Sequence, residues 1–90
     1  MLEFFAGEKQ YVEVTVKAKK TNEIAVVNSA LYELINCKDE KTVDGGNCEI
    51  ESNKLKILLD LVESGTYKLI VTARIGVEII KSNTIVKVGA

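Results

Sequence analysis

Apolar and polar positions alternate most cleanly between Asp60 and Ala73. Tyr67, Leu69, Val71 and Ala73 recur at every second residue, with Thr66, Lys68 and Thr72 between them. A two-residue period sets those four side chains on one face of a strand. Glu63-Ser64-Gly65 just ahead reads as a tight corner, because glycine takes a positive φ without steric cost. A second run, Gln10 to Ala18, carries Val12, Val14, Val16 and Ala18 on one face and Tyr11, Glu13, Thr15 and Lys17 on the other. Its β-branched residues favour a strand. Residues 2–6 form a short apolar entry strand ending at Gly7, and Lys19-Lys20-Thr21-Asn22-Glu23 is a solvated polar turn.

Two segments fit either period. In Ile24 to Cys37, Ser29 could cap a helix bearing Ala30, Leu31, Tyr32, Leu34 and Ile35, yet the same residues also alternate. Neighbouring strands need a partner, which favours strand. In Lys54 to Leu61, Leu55, Ile57, Leu59 and Leu61 alternate, while Leu55, Leu58, Leu59 and Val62 match helical spacing. Eight residues between turn signals favour strand again.

Lys38 to Asn47 reads as a polar loop centred on the turn Asp44-Gly45-Gly46-Asn47. Asp39, Glu40, Asp44 and Glu49 invite a calcium reading, but their spacing matches no EF-hand loop. Cys48-Glu49-Ile50-Glu51 is a short strand. Arg74-Ile75-Gly76-Val77 is a turn, and Glu78 to Val88 is a final strand with a candidate bulge at Ser82-Asn83. No proline guards an edge, which leaves Lys81 and Lys87 as the candidate edge charges. Six or seven short strands at this spacing imply one all-β domain, residues 1–90, a β-sandwich of about seven strands.

At Gly65-Thr66-Tyr67-Lys68-Leu69 the chain resembles immunoglobulin-like domains, in which a glycine two residues before a tyrosine opens the sixth strand. The resemblance implies that the Tyr67 ring sits in the core and its hydroxyl ties the corner, so Gly65 and Tyr67 form a structural corner. Leu69 stands where antibody-type domains keep a cysteine, and Tyr32 stands in place of the third-strand tryptophan. The pattern is therefore closer to cysteine-free immunoglobulin-like and fibronectin-like modules of bacteria and phages. Phe5-Ala6-Gly7-Glu8, Ser29-Ala30-Leu31-Tyr32-Glu33-Leu34, Ser64-Gly65-Thr66-Tyr67 and Thr72-Ala73-Arg74-Ile75-Gly76 together resemble small immunoglobulin-like proteins encoded among phage and prophage structural genes. That resemblance implies a virion or assembly role without catalytic residues.

Composition narrows the chemistry. Ninety residues with no histidine lack the commonest general base and metal ligand, so a Ser-His or Cys-His pair is impossible. Gly45-Gly46 has no following Lys-Ser/Thr, which removes the phosphate-loop reading. We expect no enzyme activity and no cofactor. A net charge of −1 gives no reason to expect nucleic acid or an anionic membrane as partner. The longest uncharged stretch, Ile24 to Tyr32, is too short to span a bilayer. The start at Met1 lacks a basic region followed by an apolar one, which leads us to expect a cytoplasmic gene product that could end in a virion. Cys37 and Cys48 are either free thiols or a disulfide, with free thiols favoured in that compartment.

The expected function is interaction: a phage-type structural protein that self-associates or docks on a capsid or tail lattice through sheet edges. The alternative is an adhesion or carbohydrate-binding module using Tyr11 and Tyr32 as stacking surfaces. Half-buried strand tyrosines are more often packing residues.

Overall fold

The computed structural model describes residues 2–16, 27–51 and 54–89. They form eight strands: β1 (Leu2–Phe5), β2 (Glu8–Thr15), β3 (Ser29–Asn36), β4 (Thr42–Asn47), β5 (Glu49–Glu51), β6 (Lys54–Leu61), β7 (Gly65–Ile75) and β8 (Glu78–Gly89). Two sheets result, a five-stranded one in the order β1-β8-β7-β3-β4 and a three-stranded one in the order β2-β6-β5. The protein is an all-β sandwich, and among the described residues no helix is long and apolar enough to cross a membrane.

Alternation builds the core. Along β6, Leu55, Ile57, Leu59 and Leu61 are buried while Lys54, Lys56, Leu58 and Asp60 face out. Along β7, Tyr67, Leu69, Val71 and Ala73 are buried, and β8 adds Val86 and Val88. The second ambiguous segment is therefore a strand, and so is Ser29–Asn36 of the first, whose residues 24–26 fall outside the described residues. Leu34 and Ala30 of β3 meet the same core, and no polar or charged residue is buried among those described. A strand with both neighbours in place satisfies its backbone groups, whereas a short isolated helix gains little in water.

Between β1 and β2 the chain changes sheets within one tight turn. Ala6 N–H donates to the Gly89 carbonyl of β8 at 2.7 Å, and the next residue, Gly7, donates to the Leu61 carbonyl of β6 at 2.6 Å. Gly7 has φ 91°, which any side chain would strain. Glu8 fixes the turn, its carboxylate accepting from Phe5 N–H at 2.8 Å and from the Gln10 amide at 2.6 Å. These two bonds, the one to Gln10 foremost, hold its carboxyl below the usual range.

Three expectations need correction. Asp44-Gly45-Gly46-Asn47 is not a loop but part of edge strand β4, antiparallel to β3 with Tyr32 opposite Gly46 and Glu33 opposite Gly45. A side chain on Gly45 would come within 3.2 Å of the Tyr32 carbonyl oxygen, so here glycine permits close strand approach rather than a reversal. The reversal lies earlier, where Glu40 has φ 59° and Asn36 and Asp39 accept from the Lys38 and Lys41 amides. Ser82-Asn83 makes no bulge, because β7 and β8 pair without a register shift from Gly65↔Val88 to Ile75↔Glu78. Lys87 guards no edge, since Glu3 of β1 pairs with it, whereas Lys81 lies in the stretch of β8 that β1 does not reach, with β7 as its one described strand neighbour. The polar turn expected at residues 19–23 and the end of the Gln10–Ala18 strand beyond Val16 fall outside the described residues.

Candidate functional site

The two residues expected to contact a ligand sit on different sheets. Tyr11 is on the outer face of the three-stranded sheet, 65% exposed and opposite Leu58. Tyr32 lies on the core side of β3, half-buried, with its hydroxyl 3.4 Å from Asp44 Oδ2. Burial, then the Asp44 charge, pushes the Tyr32 hydroxyl's pKa up. The fold does not combine them into one stacking platform.

Gly65 and Tyr67 meet at the corner. The Tyr67 hydroxyl donates to the Glu63 carbonyl at 2.9 Å. Gly65 has φ 150°, and a Cβ there would lie 3.7 Å from the Tyr67 ring. The buried ring and the nearby Glu63 and Asp39 carboxylates raise the Tyr67 pKa, burial being the larger cause. A cleft of about 250 Å³ opens beside this corner, with Leu34, Val43, Leu61 and Tyr67 in its walls and Asp60 and Glu63 at its rim. Cys37 is exposed and Cys48 buried, and neither is in a disulfide. Burial raises the Cys48 thiol pKa, which suits a packing role over a nucleophilic one. Among the described residues no three cysteine or carboxylate side chains converge on a point that could hold a metal ion.

The two outer faces differ sharply. On the three-stranded sheet, charges oppose each other in register: Lys9 faces Asp60, Glu13 and Glu49 both face Lys56, and Glu51 faces Lys54. Lys54 lies 3.8 Å from Glu13 and Lys56 lies 3.9 Å from Glu51. On the five-stranded sheet, side chains from distant parts of the chain fall into rows. Ile79, Arg74 and Ser29 form one row, and Lys81, Thr72 and Leu31 the next. Asn83, Ile70 and Glu33 follow, then Ile85, Lys68 and Ile35. Leu31 is 54% and Ile79 58% exposed. Lys87 alone faces a carboxylate in register, Glu3 of β1. Among the described residues, Lys68, Arg74 and Lys81 have no carboxylate within 4.0 Å.

None of these apolar outer-face residues was singled out from the sequence as a contact. The available signal was apolar residues at both strand parities, Leu69-Ile70-Val71, Ile79-Ile80 and Ile85-Val86, where a solvated face should have been polar.

Comparison with known proteins adds the architecture. No family model matches the chain, and no curated protein matches it. Among solved structures, a crystal structure of an engineered protein, a structural-genomics target at 1.98 Å, superposes with a TM-score of 0.75 at 16% identity over 99% of this chain. The likeness is one of fold. The chain spans 18% of the length of that engineered protein.

Proposed function

We propose that this protein is a non-enzymatic interaction module of the immunoglobulin-like kind, a structural or assembly component of the phage or prophage type that works through protein–protein contacts. The observation that carries this reading is the outer face of the five-stranded sheet. It leaves Leu31, Ile79 and Ile85 exposed and Ile70 half-buried, although the core needs only the opposite side of those strands. Contiguous exposed apolar side chains mark contact surfaces more often than solvated ones. The immunoglobulin-like form is supported by β1 lying parallel to β8 at the edge of the larger sheet and by the hydrogen bond of Tyr67 to the corner. The phage-type assignment rests on the resemblance of the four stretches named above.

The face is a better contact than the edges at β1, β4 and β5. β5 carries Glu49 and Glu51 in three residues, and β1 is four residues long. On β4 the Asp44 carboxylate accepts from its own edge amide, Gly45 N–H, at 2.9 Å. Charges, short strands and self-capped amides all oppose strand addition.

A photo-crosslinking amino acid at Ile79 or Leu58, in the full chain expressed in its native host, tests the reading. A discrete protein adduct from Ile79 and none from Leu58 supports it. Absence of any protein adduct from Ile79, or a glycan adduct, overturns it.

A further inference from the structure

We infer that the outer face of the five-stranded sheet docks an acidic protein surface, with an apolar side chain of the partner seated between Leu31, Ile70 and Thr72. This rests on the reading of the protein as an interaction module, and it names the partner's chemistry.

Charge selects the partner. The face carries Lys68, Arg74, Lys81 and Lys87 against two carboxylates, Glu3 and Glu33, on a chain whose total is −1. It is therefore the positive side of a slightly negative molecule. Only Lys87 is matched in register. Two of the other cations lie beside aliphatic side chains, Lys68 between Ile35 and Ile85 and Arg74 beside Ile79, while Lys81 faces Thr72 with Leu31 one strand further on. Unmatched cations beside apolar area speed encounter with an anionic surface and penalise a cationic one. A second copy presenting this same face would set like charges together, and the opposite face has already neutralised its charges in register. The partner is thus a different surface.

Shape supplies a seat. A depression of about 380 Å³ lies on this face, walled by Leu31, Glu33, Ile70, Thr72 and Lys81 and opened at one side by Gly45. Gly45 shares the outward parity of Glu33 but contributes no side chain. Leu31 and Ile70 offer apolar walls to one partner side chain, while Lys81 stands at the rim for a carboxylate. Glu33 is the one anion there and turns partner carboxylates toward Lys81 and Lys68.

Size sets the strength. Five strands spaced ~4.8 Å apart over some eight paired residues give a face of roughly 600 Å², below the ~800 Å² that one side of a standard interface buries. The contact is small, electrostatically assisted and sensitive to salt.

The test uses the full chain and two short synthetic peptides, one alternating glutamate with leucine and one alternating lysine with leucine. Amide chemical shifts are followed during titration. The expected result is saturable shifts from the glutamate peptide confined to β3, β7 and β8, centred on Leu31, Ile70, Thr72 and Lys81. Binding should weaken about tenfold or more when salt rises from about 50 to 500 mM and by about tenfold in Lys81→Glu and Lys68→Glu. It should be unchanged in Lys54→Glu on the other face. Lys81→Gln, which adds no repulsion, should give an intermediate loss. Equal binding of the lysine peptide, shifts centred on the three-stranded sheet, no saturable shift up to about 1 mM peptide, or indifference to the Lys81 and Lys68 substitutions would each overturn the inference. So would competition by a single-stranded oligothymidylate at least as strong as the peptide's own binding. If the Ile79 crosslink forms while the peptide test fails, the interaction module stands and only the acidic partner falls.

Discussion

The two outer faces of the sandwich are built from strands of the same kind over one shared core, yet they meet solvent in opposite ways. The three-stranded face sets Lys9 against Asp60, Glu13 and Glu49 against Lys56, and Glu51 against Lys54. The five-stranded face sets Lys68 against Ile35 and Ile85, Arg74 against Ile79, and Lys81 against Thr72. Cross-strand partners, not composition, decide whether a charged face is finished in itself or still needs a partner. The first face matches its charges and leaves Tyr11 beside Leu58 exposed. The second is open.

The largest test asks whether the sheets are equal underneath. Leu59 and Leu69 are almost fully buried, one in each sheet. Leu59→Ala and Leu69→Ala should each lower stability by about 2–5 kcal/mol in urea unfolding. If one is far milder, the core is not shared evenly and the contrast between faces extends to the sheets themselves.

The corner comes next. Tyr67→Phe keeps the ring and loses the bond to the Glu63 carbonyl, which should cost about 1–2 kcal/mol. Its pH signature has a fixed sign. The folded protein raises the pKa values of Tyr67 and Tyr32 above the ordinary 10.0 and of Cys48 above the ordinary 9.0. Folding favours the protonated forms, so their contribution is complete below those ordinary values. It declines as pH rises from about 9 through 10 and beyond, where the unfolded chain ionises first. Stability should stay level through neutrality with respect to these groups and then fall. Tyr67→Phe should flatten part of that alkaline decline, and an unaltered decline would remove Tyr67 from the account.

Smaller effects separate the faces directly. Lys54→Ala breaks the 3.8 Å pair with Glu13 and should cost about 0.2–1 kcal/mol, less in high salt. Ile79→Thr on the open face should change stability by no more than about 0.5 kcal/mol. A large loss of stability in Ile79→Thr would make the exposed isoleucine structural and close the open face.

The strands were legible wherever one face was apolar and the other polar, as in Tyr67 to Ala73. They were harder to read where both parities were apolar. Leu58 beside Leu59 and Leu31 beside Ala30 fed a helical period as well as a strand period. Gly45-Gly46 read as a reversal because local chemistry could not reveal that Tyr32 and Glu33 would lie opposite and favour bare backbone. Lys87 reads as an edge charge in the sequence because strand order is a long-range property, and β8 comes to lie parallel to β1 only after the whole chain is laid down. The open face was hidden for the same reason. Its rows join Ser29 to Arg74 and Ile79, residues that no local window connects. Tyr11 and Tyr32 drew notice as aromatics, while the unpaired lysines that distinguish the faces are visible only with the register in hand.

One calorimetric comparison tests the central claim most directly: the affinity of the glutamate–leucine peptide for Lys81→Glu and Lys54→Glu, side by side at low salt. The open-face account predicts about a tenfold loss for Lys81→Glu and none for Lys54→Glu. Equal losses, or a greater loss for Lys54→Glu, would contradict it.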